Sequence, residues 1–136
     1  MAKVLGLDPG TRRCGVAVSD SLRTMAFPRT AFEVSDTLVA RIAELVDEES
    51  IELVVVGRPV ALSGRETAST GVADRFVAAL AAALAEVTVV TWDERLTTTE
   101  AQRSLTGAGL KVKQHRRRID SAAAVVMLQS YLEGTA

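Results

Sequence analysis

The run Leu53-Val54-Val55-Val56-Gly57 constrains this chain more than any other segment, because it offers no polar face to water. A strand with one solvated face alternates polar and apolar residues, whereas one that is apolar throughout is covered on both faces. The chain therefore needs a sheet with layers packed on either side, and Arg58-Pro59 ends the covered strand. With 136 residues it can supply those layers, burying roughly two thirds of its unfolded surface.

The remaining pattern supplies neighbours for that strand. Val4-Leu5-Gly6-Leu7-Asp8, the turn Pro9-Gly10-Thr11 and Cys14-Gly15-Val16-Ala17-Val18-Ser19 read as a hairpin. A third extended stretch is expected within 24–32, at a sheet edge because Pro28 lacks a backbone donor. From Ser35 the period changes: Leu38, Ile42, Leu45 and Val46 share a helix face, with Ser35 or Asp36 as N-cap. A second helix over 66–85 would bury Val72, Phe76, Leu80 and Leu84. A fifth strand, Val87-Thr88-Val89-Val90-Thr91-Trp92, leads into Asp93-Glu94-Arg95. Thr97 and Glu100 form a capping-box pattern for a short helix ended by Gly107 and Gly109, and a last helix is expected over 119–132. The order βββαβαβαα predicts one α/β domain over 1–136, a five-stranded mixed sheet with helices on both faces.

Composition excludes several classes. A hydrophobic fraction of 48% with a net charge of −1 argues against disorder. The apolar runs fall far short of the ~20 residues that span a bilayer, so no membrane role is expected. Asp8, Arg12 and Arg13 leave no room for a secretory signal, which points to the cytoplasm. Cys14, the lone cysteine, is expected as a small buried strand residue; an intermolecular bridge is open to it only if it is exposed.

The charges are unevenly spread. Arg outnumbers Lys 13 to 3, and five of the 16 cations fall in 111–118, with His115 among them. A solvated loop accounts for such a run, and so does phosphate contact, since the Arg fork matches phosphate oxygens. Five aromatic residues leave little scope for base stacking. Among the acids, Asp8 ends a strand that otherwise reads as buried, Asp93-Glu94 ends another, and Asp120 opens an apolar helix. Singly, these read as an Asx-turn and as a first-turn acid that offsets the helix dipole. Brought together, three carboxylates would repel one another without a cation. Hard oxygen ligands select Mg²⁺ or Mn²⁺, and two such ions ~3.5 to 4 Å apart can clamp an in-line phosphodiester displacement.

Four motifs carry a family resemblance: the segment from Gly6-Leu7-Asp8-Pro9-Gly10-Thr11 through Ser19-Asp20, then Val56-Gly57-Arg58-Pro59, Asp93-Glu94-Arg95-Leu96-Thr97-Thr98, and Ile119-Asp120-Ser121-Ala122-Ala123. In this order they resemble the YqgF family, also called RuvX, across nearly the whole chain. The resemblance implies an RNase H-like fold and a nuclease that matures the 5′ end of pre-16S rRNA. It implies Asp8, Glu94 and Asp120 as the metal-binding triad. Asp93 is the alternative to Glu94, which is preferred because its longer side chain can reach across the sheet edge. Arg12, Arg58, Arg95, Thr97, Thr98, Arg116, Arg117 and Arg118 would contact nucleic acid, either precursor rRNA or branched DNA.

The related resolvase RuvC is expected to carry its second carboxylate on the fourth strand, whereas Leu53-Val54-Val55-Val56-Gly57 has none and the candidate moves to the end of the fifth. Two symmetric cuts in a junction would call for a homodimer. Two other readings stay open. Asp8-Pro9-Gly10-Thr11 also resembles the phosphate loop of the actin and sugar-kinase group, though only one copy is present. A non-catalytic module that binds structured RNA through the basic run would share every feature except the need for the carboxylates.

Overall fold

Strands β1 (Lys3–Pro9), β2 (Arg13–Ser19), β3 (Ala26–Glu33), β4 (Ile51–Arg58) and β5 (Thr88–Asp93) form one sheet in the computed structural model, which describes residues 2–97 and 121–135. The order across the sheet is β3-β2-β1-β4-β5. The β1-β2 and β2-β3 pairs are antiparallel, while β1-β4 and β4-β5 are parallel. Helices α1 (Leu38–Glu49) and α2 (Ala68–Ala83) provide the two crossovers that parallel pairing requires, and α3 (Ala122–Gly134) follows last. The predicted mixed sheet is therefore present. Pro28 lies on edge strand β3, where its missing donor is tolerated.

The sheet separates two cores. On one face Leu5, Leu7, Val16, Val54 and Val56 pack with Ile42 of α1 and Leu80 of α2. On the other, Val4, Ala17 and Val55 pack against Ala124, Val125 and Leu128 of α3. The alternation of β4 residues between the two cores is the covered strand that its apolar run predicts. Cys14 is fully buried, which settles it as a core residue and removes the intermolecular bridge. Burial, with the charge of Asp8 adding to it, pushes its thiol up to about 12, so it stays an unreactive thiol at neutral pH.

Some expectations require correction. Helix α1 starts at Leu38, with Thr37 in the cap position, because Ser35 instead accepts the Thr37 N–H (3.2 Å) and organises the preceding turn. Val72 is 47% exposed, since the buried side of α2 runs through Thr70, Ala73 and Leu80. Helix α2 has a capping box of its own, in which Thr67 and Thr70 cap one another, and the Thr70 hydroxyl donates to the Pro59 carbonyl. The proposed Thr97–Glu100 box, the short helix after it and the basic run all extend into or lie within 98–120, outside the described residues. No helix among the described residues is long and apolar enough to cross a membrane.

Buried polar groups lock α3 to the sheet. The Ser121 hydroxyl accepts the Val16 N–H (3.0 Å) and donates to the Arg29 carbonyl (2.7 Å), bridging the β2-β3 ladder where its register shifts. Gln129 accepts from the Ala26 N–H (2.9 Å) and donates to the Thr24 carbonyl (3.0 Å). Ser130 donates to the Leu96 carbonyl (2.7 Å) and so ties α3 to the turn that follows β5. Each bond satisfies a group whose burial alone would be unfavourable.

Candidate active site

The parallel strands β1, β4 and β5 end at the same sheet edge, and side chains that alternate along them return to one face every second residue. Leu7 pairs with Val56 and Gly57 with Trp92, so the next step along β1 and β4 sets Asp8 beside Gly57 on the α3 side. Beyond β5 the chain tightens into a 3₁₀ turn, Glu94–Leu96, two residues past Trp92. Glu94 thereby reaches back across β4. Its carboxylate lies over Gly57, whose added Cβ would stand 2.8 Å from Glu94 Oε1, and it hydrogen-bonds the Asp8 side chain on the strand beyond.

A hydrogen bond between two carboxyl groups requires that one hold a proton. Burial pushes the Glu94 carboxyl up to about 7, and the hydrogen bond and charge of Asp8, with the charge of Asp93, push in the same direction. Burial also raises Asp8, although its hydrogen bond to Glu94 opposes this. Two acids whose ionised forms are both disfavoured leave the site short of positive charge.

Asp93 takes no part in that pair. Its carboxylate grips Arg95 Nε (3.0 Å) and Nη2 (2.6 Å) and accepts the Arg95 N–H (2.8 Å), which lowers it from the ordinary carboxylate value. Between the two adjacent acids, it is Glu94 that meets Asp8. Arg95 also donates to the Leu62 carbonyl (3.3 Å), so it bridges the turn to the loop after β4. Arg58 is held by Asp74 (Nε to Oδ1, 2.9 Å) and by Glu66 (Nη2 to Oε1, 3.2 Å). Thr97 closes the 3₁₀ turn through its N–H to the Glu94 carbonyl (3.2 Å). Arg12 is exposed and, with Asp8, Gly10, Thr11 and Arg13, lines a cavity of about 370 Å³ at the end of β1.

Thr98, Arg116, Arg117, Arg118 and Asp120 lie outside the described residues. Among the described residues no group of three or more His, Cys, Asp or Glu is placed to hold a metal ion. Sequence reasoning assigned no role to Gly57, Ser130, Asp74 or Glu66. The first two carried a signal: a glycine inside an apolar strand, and a serine inside an apolar helix stretch, each call for a specific neighbour. The pairing of Arg58 with α2 had no signal in the local pattern.

The pair makes stability depend on pH. Glu94 binds its proton more tightly in the folded chain (about 7) than at its ordinary value (4.5), so it is neutral in both states below 4.5. As pH rises from 4.5 towards 7, the unfolded chain gains from ionisation that the fold disfavours, and stability falls. Glu94→Gln removes this loss. With EDTA present, Glu94→Gln is expected to unfold at a higher temperature than the wild type at pH 8 and at the same temperature near pH 4. The difference is about 1 kcal/mol once solvent screening of a half-buried group is allowed for. Equal melting temperatures at both pH values would show that Glu94 ionises freely.

The family model described as RuvX, Holliday junction resolvase, matches residues 2–134. A protein of Chlorobaculum tepidum is 41% identical over 133 residues, which cover 96% of this chain and 93% of that one. One of Mycobacteroides abscessus is 46% identical over 134 residues, 95% of this chain and 80% of that one. Both carry the name of a candidate pre-16S rRNA nuclease. Among solved structures, Thermus thermophilus RuvC in complex with a Holliday junction substrate aligns over 100% of this chain and 98% of its own, with a TM-score of 0.65 and 20% identity. Fowlpox virus resolvase in complex with Holliday junction DNA aligns over 98% of both chains, with a TM-score of 0.61 and 9% identity. At these identities the likeness is one of fold.

Proposed function

The chain belongs to the RuvX family, and from that premise we propose that it is a divalent-metal-dependent nuclease, a single cytoplasmic domain that processes the 5′ end of pre-16S rRNA. The observation that carries the reading is the Asp8–Glu94 carboxyl pair at the sheet edge, where burial opposes ionisation of both groups. Such a pair is a poor structural element by itself and a good set of hard oxygen donors for Mg²⁺ or Mn²⁺. The two acids fit a divalent ion because its charge relieves the strain that raises them.

Asp8 and Glu94 would hold metal, with Asp120 as the third ligand. Asp120 is bonded to Ser121, whose hydroxyl takes the Val16 N–H, one residue from Gly15, and Gly15 is the cross-strand partner of Asp8. This chain connection supports the triad. When bound, Mg²⁺ or Mn²⁺ supplies an activated water and stabilises the leaving oxygen of the phosphodiester. The chain's own groups do the rest. Arg12 borders the cavity beside Asp8 and would hold a substrate phosphate there. Arg95 and Thr97 flank Glu94 on its own turn, and Arg58 stands at the end of β4. Thr98 and the run Arg116, Arg117 and Arg118 would supply further contacts to the strand being cut.

Arg58 is neutralised by two acids, so freeing it should strengthen electrostatic binding. Asp74→Asn is expected to lower the dissociation constant for nucleic acid by about 3- to 10-fold at low salt, and to steepen the salt dependence by about one unit of log K per log [salt]. An unaltered slope would remove Arg58 from the substrate surface.

The direct test offers a 16S rRNA transcript bearing its 5′ leader, and a four-way DNA junction, to the protein with Mg²⁺, Mn²⁺ or EDTA. Cutting of the leader with either ion and none with EDTA is the expected result. The RuvC-like fold favours a second reading, junction resolution by a homodimer, and preferential cutting of the junction would select it. Binding without cutting under every condition would overturn the nuclease reading in favour of a non-catalytic RNA-binding module.

A further inference from the structure

Gly57 has no backbone reason to be glycine. It lies inside β4, and among the described glycines only Gly64 has positive φ. In a strand interior glycine is otherwise unfavourable relative to alanine, because it loses more freedom on folding and packs nothing. The space its missing Cβ leaves is taken by the Glu94 carboxylate: Oε1 would lie 2.8 Å from that Cβ and Cγ 3.5 Å, with Met127 Cγ also at 3.5 Å. Only the first contact is too close, and it is with the far end of a flexible side chain. An alanine here would leave the fold in place and move the carboxylate.

The turn that carries Glu94 is held independently. Ser130, 2% exposed on α3, donates to the Leu96 carbonyl at 2.7 Å, and Leu96 is the last residue of that turn. Arg95 ties the same turn to the loop after β4 through the Leu62 carbonyl (3.3 Å).

We propose that Gly57 and Ser130 are positioning residues for Glu94: Gly57 leaves the channel through which a carboxylate from beyond β5 crosses β4 to reach Asp8, and Ser130 anchors the turn from which it starts. This rests on Glu94 being a metal ligand, as in the proposed nuclease. It also accounts for a metal site with no acid on the fourth strand. The acid comes from the fifth, and the fourth contributes only the absence of a side chain.

The test measures Mn²⁺ binding by calorimetry, steady-state cleavage and thermal unfolding for the full chain and for Gly57→Ala, Ser130→Ala, Ser130→Thr and Asp8→Asn. Gly57→Ala is expected to weaken Mn²⁺ binding by about 10- to 100-fold and to lower kcat similarly, with KM and the metal-free melting temperature nearly unchanged. Ser130→Ala should show the same split to a smaller degree, and Ser130→Thr, which keeps the hydroxyl, should recover it. Wild-type Mn²⁺ binding and kcat in Gly57→Ala and Ser130→Ala, alongside their loss in Asp8→Asn, would overturn the positioning roles and leave the catalytic site standing. A large fall in the melting temperature of Gly57→Ala would assign the glycine to the fold and overturn its role here. Retention of both activities by Asp8→Asn would overturn the catalytic reading itself, and this inference with it.

Discussion

Replacing Asp8 with asparagine is expected to lower metal-dependent cleavage by about a thousandfold or more while the chain folds normally. Asparagine keeps the volume of the aspartate and loses its charge, so the packing at the end of β1 survives and the site loses an anionic oxygen. The metal-free fold should even benefit. Burial raises the Asp8 carboxyl above its ordinary value, which means that ionising it at neutral pH works against folding, and asparagine removes that opposition. The melting temperature with EDTA at pH 8 should therefore equal or exceed that of the wild type. Two measurements check this: single-turnover cleavage in Mg²⁺ and Mn²⁺, and thermal unfolding with chelator. Cleavage within tenfold of the wild type would remove Asp8 from the reacting centre. A lost activity accompanied by a lowered melting temperature would mean that the aspartate serves the fold.

The second large effect is on stability. Gly6→Ala is expected to destabilise the protein by about 2 kcal/mol, an overpacking cost, and to lower its melting temperature by roughly 6 to 10 °C. The added Cβ would stand 2.8 Å from Leu128 Cβ, with Leu128 Cδ2 and Cγ at 3.2 and 3.3 Å. Leu128 Cβ is fixed to the helix backbone, so no rotamer change relieves the contact, and α3 would have to lift from the sheet. That motion would strain the anchors at Ser121, the N-cap of the helix, and at Ser130 in its C-terminal half. Activity should fall along with stability. Gly6 and Gly57 thus differ in kind although both lie under α3: the first meets a Cβ fixed to the helix backbone and the second the far end of a flexible side chain. Thermal unfolding of the two alanine variants side by side distinguishes them, and equal, unchanged melting temperatures would show that α3 has room to spare over Gly6.

Much of the architecture was legible because burial writes itself into periodicity. The unbroken apolar run of β4, the hairpin turn at Pro9-Gly10-Thr11 and the change of period after Ser35 each follow from which faces meet water. Helix ends were less legible. Capping depends on one or two hydrogen bonds that several nearby Ser, Thr and Asp residues can make, and Ser35 used its hydroxyl one turn early. Val72 was misplaced for a related reason: an Ala-rich helix has a weak apolar stripe, and small rotations decide which residue faces the sheet.

For the site, the sequence by itself determined which acids stand at strand ends and left Asp93 open beside the preferred Glu94, because motif order and side-chain length are local properties. Tertiary structure alone decided that Glu94 meets Asp8 while Asp93 is taken up by Arg95, that Arg58 is held by Asp74 and Glu66, and that the crossing needs a bare Gly57. Each of these depends on a contact between residues whose neighbourhood exists only once the strands are in register. A pairing energy of that kind leaves no periodic trace along the chain.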